Sequence, residues 1–176
     1  VSYCATCDGF FFRDQEVAVI GGGDTAIEEA LFLTRFASKV YVIHRRDRLR
    51  AIRILQERAF ANEKITFLWN RIPLEIRGDN TVKGIVLRDL VEGKSSELRV
   101  QGVFVFIGYS PNTEILKGIV ELDDQGFVIT NEEMETTQRG IYAAGDIRSK
   151  SLRQISTAVG DGAVAAYSAL RYLEGY

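Results

Sequence analysis

The sequence is poor in the residues that most often carry chemistry. Its 176 residues hold one histidine, His44, and two cysteines, Cys4 and Cys7. Zinc asks for four ligands, and a close cysteine pair supplies half a site with one distant histidine to add, so no metal is expected. Two cysteines confined to one pair also exclude the disulfide framework of a small secreted domain; in a cytosolic chain that spacing reads as metal or redox chemistry. No apolar run approaches the roughly 20 residues that a membrane span needs. The formal net charge of -2 offers no bulk field for a nucleic acid or a membrane surface. The first residues lack the charged start and apolar core of a signal peptide. An initiator Met is missing too: the chain opens Val1-Ser2-Tyr3, as expected of a fragment or a mature form. The expectation is a cytoplasmic protein with neither a nucleic-acid nor a membrane partner.

What is present is a core. Hydrophobic residues make up 46% and charged residues 26%, ordinary values for a globular protein. The length points to one domain, or one domain plus part of another. Glu16 to Ile20 is a short apolar strand running into Gly21-Gly22-Gly23. From Asp24 the period becomes helical, with Ile27, Ala30, Leu31 and Thr34 on one face and Glu28 and Glu29 turned away. Asp24 and Thr25 suit the start of that helix. Lys39 to Ile43 is a second strand, which completes a βαβ unit of about 30 residues. A helix through Ile52 to Phe60 follows, then strands at Ile65 to Trp69, Ile72 to Arg77 and Val82 to Arg88, the last two joined at the Asp79-Asn80 turn. Glu97 to Val100 and Val103 to Ile107 complete the set. Gly108-Tyr109-Ser110-Pro111-Asn112 breaks the pattern and marks a boundary, giving domains 1–108 and 109–176. Beyond it lie Phe127-Val128-Ile129 and Ile141-Tyr142-Ala143-Ala144, then a long helix from about Arg153. Its repeating face is dominated by small residues, among them Ala158, Gly162 and Ala166, which predicts a close approach to a neighbour.

Gly21-Gly22-Gly23-Asp24-Thr25-Ala26 fits G-x-G-x-x-A between a strand and a helix. The first glycine permits the tight turn, and the second lets the backbone approach a pyrophosphate. Ala26 allows close helix–strand packing, while the helix N-terminus offers N–H groups to phosphate. At the end of the second strand an acidic residue would bind the ribose hydroxyls of NAD. This chain carries His44-Arg45-Arg46 there, with Arg50 a helical turn further on. Three guanidiniums suit a ribose 2′-phosphate and favour NADPH over NADH; the competing reading is a solvated cationic face. His44, at a strand end, is expected to position groups near the phosphate.

Three readings compete for Cys4 and Cys7: zinc, a static disulfide and a redox pair. A static disulfide between residues so near in sequence closes too small a loop to stabilise much. A redox pair is favoured by Asp8, a carboxyl able to give or take the proton that accompanies opening and closing. Hydride chemistry and a dithiol are normally joined by a flavin.

Cys4-Ala5-Thr6-Cys7-Asp8-Gly9, the glycine loop, His44-Arg45-Arg46 with Arg50, Gly108-Tyr109-Ser110-Pro111-Asn112-Thr113, Gly140-Ile141-Tyr142-Ala143-Ala144-Gly145-Asp146 and Arg153-Gln154 occur in one order. Together they resemble the bacterial-type, low-molecular-weight thioredoxin reductases over essentially the whole chain. The resemblance implies a Rossmann-like, three-layer α/β NAD(P)-binding domain with a parallel sheet and an antiparallel β-meander, joined to the C-terminal part of a split FAD-binding domain. It implies electrons passing from NADPH through FAD to Cys4–Cys7 and on to thioredoxin, with Asp8 as acid/base partner. Gly145 and Asp146 would bind the FAD chain; Arg153, Gln154 and Ile155 would surround its ring system. Gly108 would lie near a hinge, and the protein would be a homodimer. Members begin with another dinucleotide-binding half, so the chain reads as a fragment with its FAD site partly encoded. Two alternatives remain: an NADPH-binding module inactive by itself, or a flavoprotein disulfide reductase serving a peroxiredoxin.

Overall fold

The computed structural model describes residues 1–175. Two compact units divide the chain, Val1–Gly108 and Tyr109–Tyr176.

In the first unit, α1 (Ala5–Asp8) runs on into a 3-10 turn over Gly9–Phe12, ahead of β1 (Glu16–Gly21) and α2 (Asp24–Leu33). Next come β2 (Lys39–Ile43), α3 (Arg53–Phe60) and β3 (Ile65–Leu68). A hairpin of β4 (Arg71–Gly78) and β5 (Val82–Asp89) leads to β6 (Ser95–Leu98) and β7 (Gly102–Phe106). The parallel sheet has the order β3-β2-β1-β7, and β4-β5-β6 form a separate antiparallel sheet.

Period-two alternation along the strands divides the core between two faces. Val17, Val19, Val40, Val42 and Phe104 pack on one side with Ala26, Ile27, Ala30 and Leu33 of α2 and with Leu55 and Ala59 of α3. Ala18, Ile43 and Val103 pack on the other side with Ile85 and Leu87 of β5 and with Val100. Helices cover one face and the meander the other, which makes the expected three layers. Each fully buried Val, Ile or Leu here contributes about 1.5–3 kcal/mol of burial free energy.

The second unit carries its own small cluster, Val120, Val128 and Ala143. The apolar segments Phe127-Val128-Ile129 and Ile141-Tyr142-Ala143-Ala144 pair only through isolated bridges, Leu122 with Val128, Val128 with Arg148 and Glu135 with Tyr142. A strand needs a continuous ladder partner for its backbone groups, and among the described residues of this unit none runs beside them. The closing helix, α4 (Ile155–Glu174), begins two residues later than expected, behind a reciprocal cap between Gln154 and Thr157, and stops at left-handed Gly175. Of its small-residue face, Ala158 makes the expected close approach, its Cβ 3.4 Å from where a Cβ on Gly145 would lie. No α4 residue is buried, and the positions of Gly160 and Gly162 open onto free space.

Candidate functional site

The cysteines sit where the chain crosses from the parallel sheet to α2. Ser2 forms a parallel bridge with Phe104 of β7: its N–H donates to the Val103 carbonyl at 2.8 Å, and its carbonyl accepts from the Val105 N–H at 2.9 Å. The buried Ser2 hydroxyl accepts from the Cys4 N–H at 3.1 Å and donates to the Cys4 carbonyl at 3.2 Å. Cys4 then caps α1, its Sγ accepting the Cys7 N–H at 3.1 Å. A disulfide joins Cys4 and Cys7, with Cα atoms 5.3 Å apart. Cys4 is half-buried and Cys7 exposed; Asp8 follows, half-buried, at the end of α1.

Glu29 corrects an expectation. It does not turn away from the fold: its Oε2 accepts the Ala5 N–H at 2.8 Å, tying α2 to the start of α1. Ser2 and Glu29 both hold backbone groups of the cysteine loop, and neither stands out in the sequence, because side-chain patterns do not record such contacts.

The glycine loop joins β1 to α2 as expected, with distinct reasons at each position. Gly21 has φ +152°, and a Cβ there would lie 2.4 Å from the Phe106 carbonyl oxygen and 2.6 Å from Ala26 Cβ, so Ala26 does secure close packing. At Gly22 a Cβ would meet the His44 ring at 2.4 Å. His44 is thus seated beneath the loop and buried, with its Nε2 lacking a hydrogen-bond partner. Burial lowers its pKa; the Gly21 and Arg48 carbonyls oppose this, while Arg46 and Arg45 add to the lowering. Gly23, not Asp24 or Thr25, is the N-cap residue of α2. The Asp24 carboxylate instead accepts the Ile52 N–H at 2.7 Å, capping α3, while Thr25 is exposed at the first turn.

Around this loop lies a cavity of about 600 Å³, within the range of small-ligand pockets. Gly21 and Gly22 form its floor, and Arg45, Arg46 and Arg50 line it. All three arginines are exposed, and among the described residues none is in an ion pair. The Arg50 N–H donates to the Gly22 carbonyl at 2.7 Å, coupling the basic run to the loop. Arg71, absent from the sequence expectation, lines the same cavity and is ion-paired with Asp89. The Asp89 carboxyl is held below its usual pKa by the Glu92 and Val91 N–H groups, with a further contribution from Arg71. Gly108, at φ +103°, ends the first unit in open space.

In the second unit Gly145 (φ +79°) opens a short 3-10 turn, Gly145–Ile147. Its N–H donates to the Asp161 carboxylate of α4 at 3.0 Å. Arg148 and Lys150 converge on the same carboxylate at 2.9 and 2.8 Å. Burial alone would raise the Asp161 pKa, but Lys150, Arg148 and the Gly145 N–H outweigh it and hold the group at about 2. Asp146 is exposed. The Arg153 guanidinium donates to the Asp146 and Arg148 carbonyls and covers the Phe127 ring at 3.9 Å. Gln154 caps α4, and Ile155 is 85% exposed. Asp161 is a further residue the sequence reading missed.

Among the described residues no group of three or more His, Cys, Asp or Glu could hold a metal, and no helix is long and apolar enough to cross a membrane. A parallel sheet with a glycine loop, a basic cavity and a two-cysteine disulfide in the same compact unit defines the class: a nucleotide-binding disulfide redox protein. Residues 1–162 match the family described as pyridine nucleotide-disulphide oxidoreductase, and the chain belongs to that family. It is 52% identical over 180 residues to a thioredoxin reductase of Peptoclostridium acidaminophilum, covering 99% of this chain and 57% of that one. A thioredoxin reductase of Bacillus subtilis (strain 168) is 53% identical over 175 residues, with 99% and 55% covered. Among solved structures, the thioredoxin reductase of Streptococcus pyogenes MGAS5005 superposes with a TM-score of 0.93 at 49% identity, over 99% of this chain and 57% of that one. The chain therefore spans just over half the length of the relatives it matches. Members of such a family use nicotinamide and flavin cofactors in general.

Proposed function

We propose that this chain carries the NADPH site and the redox disulfide of a thioredoxin-disulfide reductase, with the C-terminal part of its FAD-binding domain. The observation that carries the reading is a single compact unit holding both the Cys4–Cys7 disulfide and a cavity lined by three arginines that, among the described residues, make no ion pair. Arg45, Arg46 and Arg50 grip the ribose 2′-phosphate through charge-assisted bonds, and the Gly21–Gly23 loop with the first turn of α2 takes the pyrophosphate. His44 supports that loop from beneath and makes no contact with phosphate. Overall, NADPH gives up a hydride and becomes NADP⁺; with one further proton, the disulfide of thioredoxin becomes a dithiol. FAD, when bound, supplies the coupling between a hydride donor and a disulfide. Cys4 and Cys7 alternate between disulfide and dithiol, and Asp8 carries a proton to or from them.

Asp146, on the Gly145 turn, and Arg153, Gln154 and Ile155, at the start of α4, hold the flavin in this reading. The fit is supported by the exposed Asp146 carboxylate and by the open helix start. A homodimer, a cytosolic setting and a hinge at Gly108 belong to the same proposal.

The test is turnover by a chain extended to the relatives' full length. NADPH should be consumed when thioredoxin disulfide is supplied, and Cys7→Ser should abolish that consumption while leaving NADPH affinity unchanged. Consumption that ignores Cys7 would sink the reading. A second reading, that the 176-residue chain binds NADPH without turnover, is favoured by the uncovered face of α4, where Ile155, Val159 and Leu173 are exposed.

A further inference from the structure

We infer that Glu29 is a positioning residue that sets the redox poise of the Cys4–Cys7 pair, making its dithiol form more strongly reducing than the loop alone would. The inference rests on the reading that this pair cycles between disulfide and dithiol.

A helix leaves its first N–H groups without intrahelical partners. Here the Cys7 N–H is taken by Cys4 Sγ at 3.1 Å, and the Asp8 N–H by the Cys4 carbonyl at 3.2 Å. The Ala5 N–H is taken by the Glu29 carboxylate at 2.8 Å, from a side chain 24 residues away on α2. That carboxylate lies one hydrogen bond from the peptide between Cys4 and Ala5, so it does two things at once. It fixes the loop residue next to Cys4, complementing the grip of Ser2 on the Cys4 backbone. It also places a negative charge one hydrogen bond from the backbone of the residue that follows Cys4.

Both effects bear on one equilibrium. Reduction breaks the Cys4–Cys7 bond and adds two electrons and two protons; with glutathione as reductant, two glutathione thiols become one glutathione disulfide and supply both. A thiolate that forms in the reduced state is stabilised by N–H donors and destabilised by a nearby carboxylate. Since the disulfide carries no charge, Glu29 penalises only the reduced form. The pair then gives up its electrons more readily, as a donor to another disulfide must.

The charge and the hydrogen bond can be separated. Glu29→Gln keeps an oxygen for the Ala5 N–H and removes the charge; Glu29→Ala removes both. The experiment is equilibration of the 176-residue chain and each variant in glutathione redox buffers, with the dithiol fraction read by thiol alkylation and the Ala5 amide followed by hydrogen exchange. Glu29→Gln should shift the equilibrium toward dithiol by about three- to tenfold, equivalent to about 15–30 mV, with protection of the Ala5 amide retained. Glu29→Ala should shift the equilibrium and lose that protection. An unchanged equilibrium in Glu29→Gln, or a shift toward disulfide, overturns the inference whatever happens to thermal stability. A pair that fails to equilibrate with glutathione even in the wild-type chain overturns the reading of a cycling disulfide on which it rests.

Discussion

A methyl group added at Gly22 would lie 2.4 Å from both Cε1 and Nδ1 of His44, closer than non-bonded atoms approach. His44 is buried and cannot swing away without displacing its neighbours. Gly22→Ala should therefore cost about 1–3 kcal/mol of stability, the usual scale for overpacking, measured by denaturant unfolding. Adding His44→Ala should restore part of the loss, since the new methyl then occupies vacated space. If the double variant is as unstable as the sum of the single ones, the ring is not what forbids a side chain at Gly22. The residue scale is also where the sequence was least legible. The cysteine pair, the glycines and Arg45, Arg46 and Arg50 stand in local strings whose chemistry can be read from adjacent letters. Ser2, Glu29, Arg71 and Asp161 could not be read that way. Ser2 and Glu29 bind backbone groups of the cysteine loop, Arg71 pairs with Asp89, and Asp161 gathers Gly145, Arg148 and Lys150. Only folding brings those partners within reach.

Elements were legible wherever burial alternates or repeats along the chain itself. β1 and β2 show it through Val17 to Ile20 and Val40 to Ile43, which fill the two faces of the sheet. The sixth strand slipped: Glu97 to Val100 reads as extended, yet β6 pairs Ser95–Leu98 with Arg88–Ile85 of β5. Val100 is buried without belonging to the ladder, because the chain there crosses to β7. In the second unit, one carboxylate joins α4 to the Gly145 turn. Asp161 has a folded-state pKa of about 2, below its ordinary 3.8. A depressed carboxylate contributes stability that is fully present above its unfolded pKa and lost as pH falls through the folded value. The second unit should therefore lose stability as pH falls from about 4 to about 2, and Asp161→Asn should flatten the profile in that window. Circular dichroism of α4 against pH checks this; an identical acid profile in the variant would remove Asp161 from the account.

At the scale of the whole molecule, the two units differ in how much of their own core they hold. The first buries a sheet between helices and a meander, and its fold follows from its own sequence. The second orders its turns around Val120, Val128 and Ala143, while α4 buries no residue within the chain. The small-residue pattern of α4 marked a helix face that stays largely exposed in this unit. The Gly145 turn reaches that face at Ala158, while Ile155, Val159 and Leu173 stay exposed. The first unit therefore holds the whole of the proposed NADPH site, a cavity lined by Arg45, Arg46 and Arg50, together with the Cys4–Cys7 disulfide.

Calorimetric titration of the 176-residue chain with NADPH and NADH, repeated on Arg45→Glu, tests that claim most directly. NADPH should bind at least about tenfold more tightly than NADH, the scale of one charge-assisted contact. Arg45→Glu should erase most of that preference while leaving NADH little changed. Equal affinity of the native chain for the two cofactors, or equal losses in the variant, would contradict the assignment of the arginines to the 2′-phosphate.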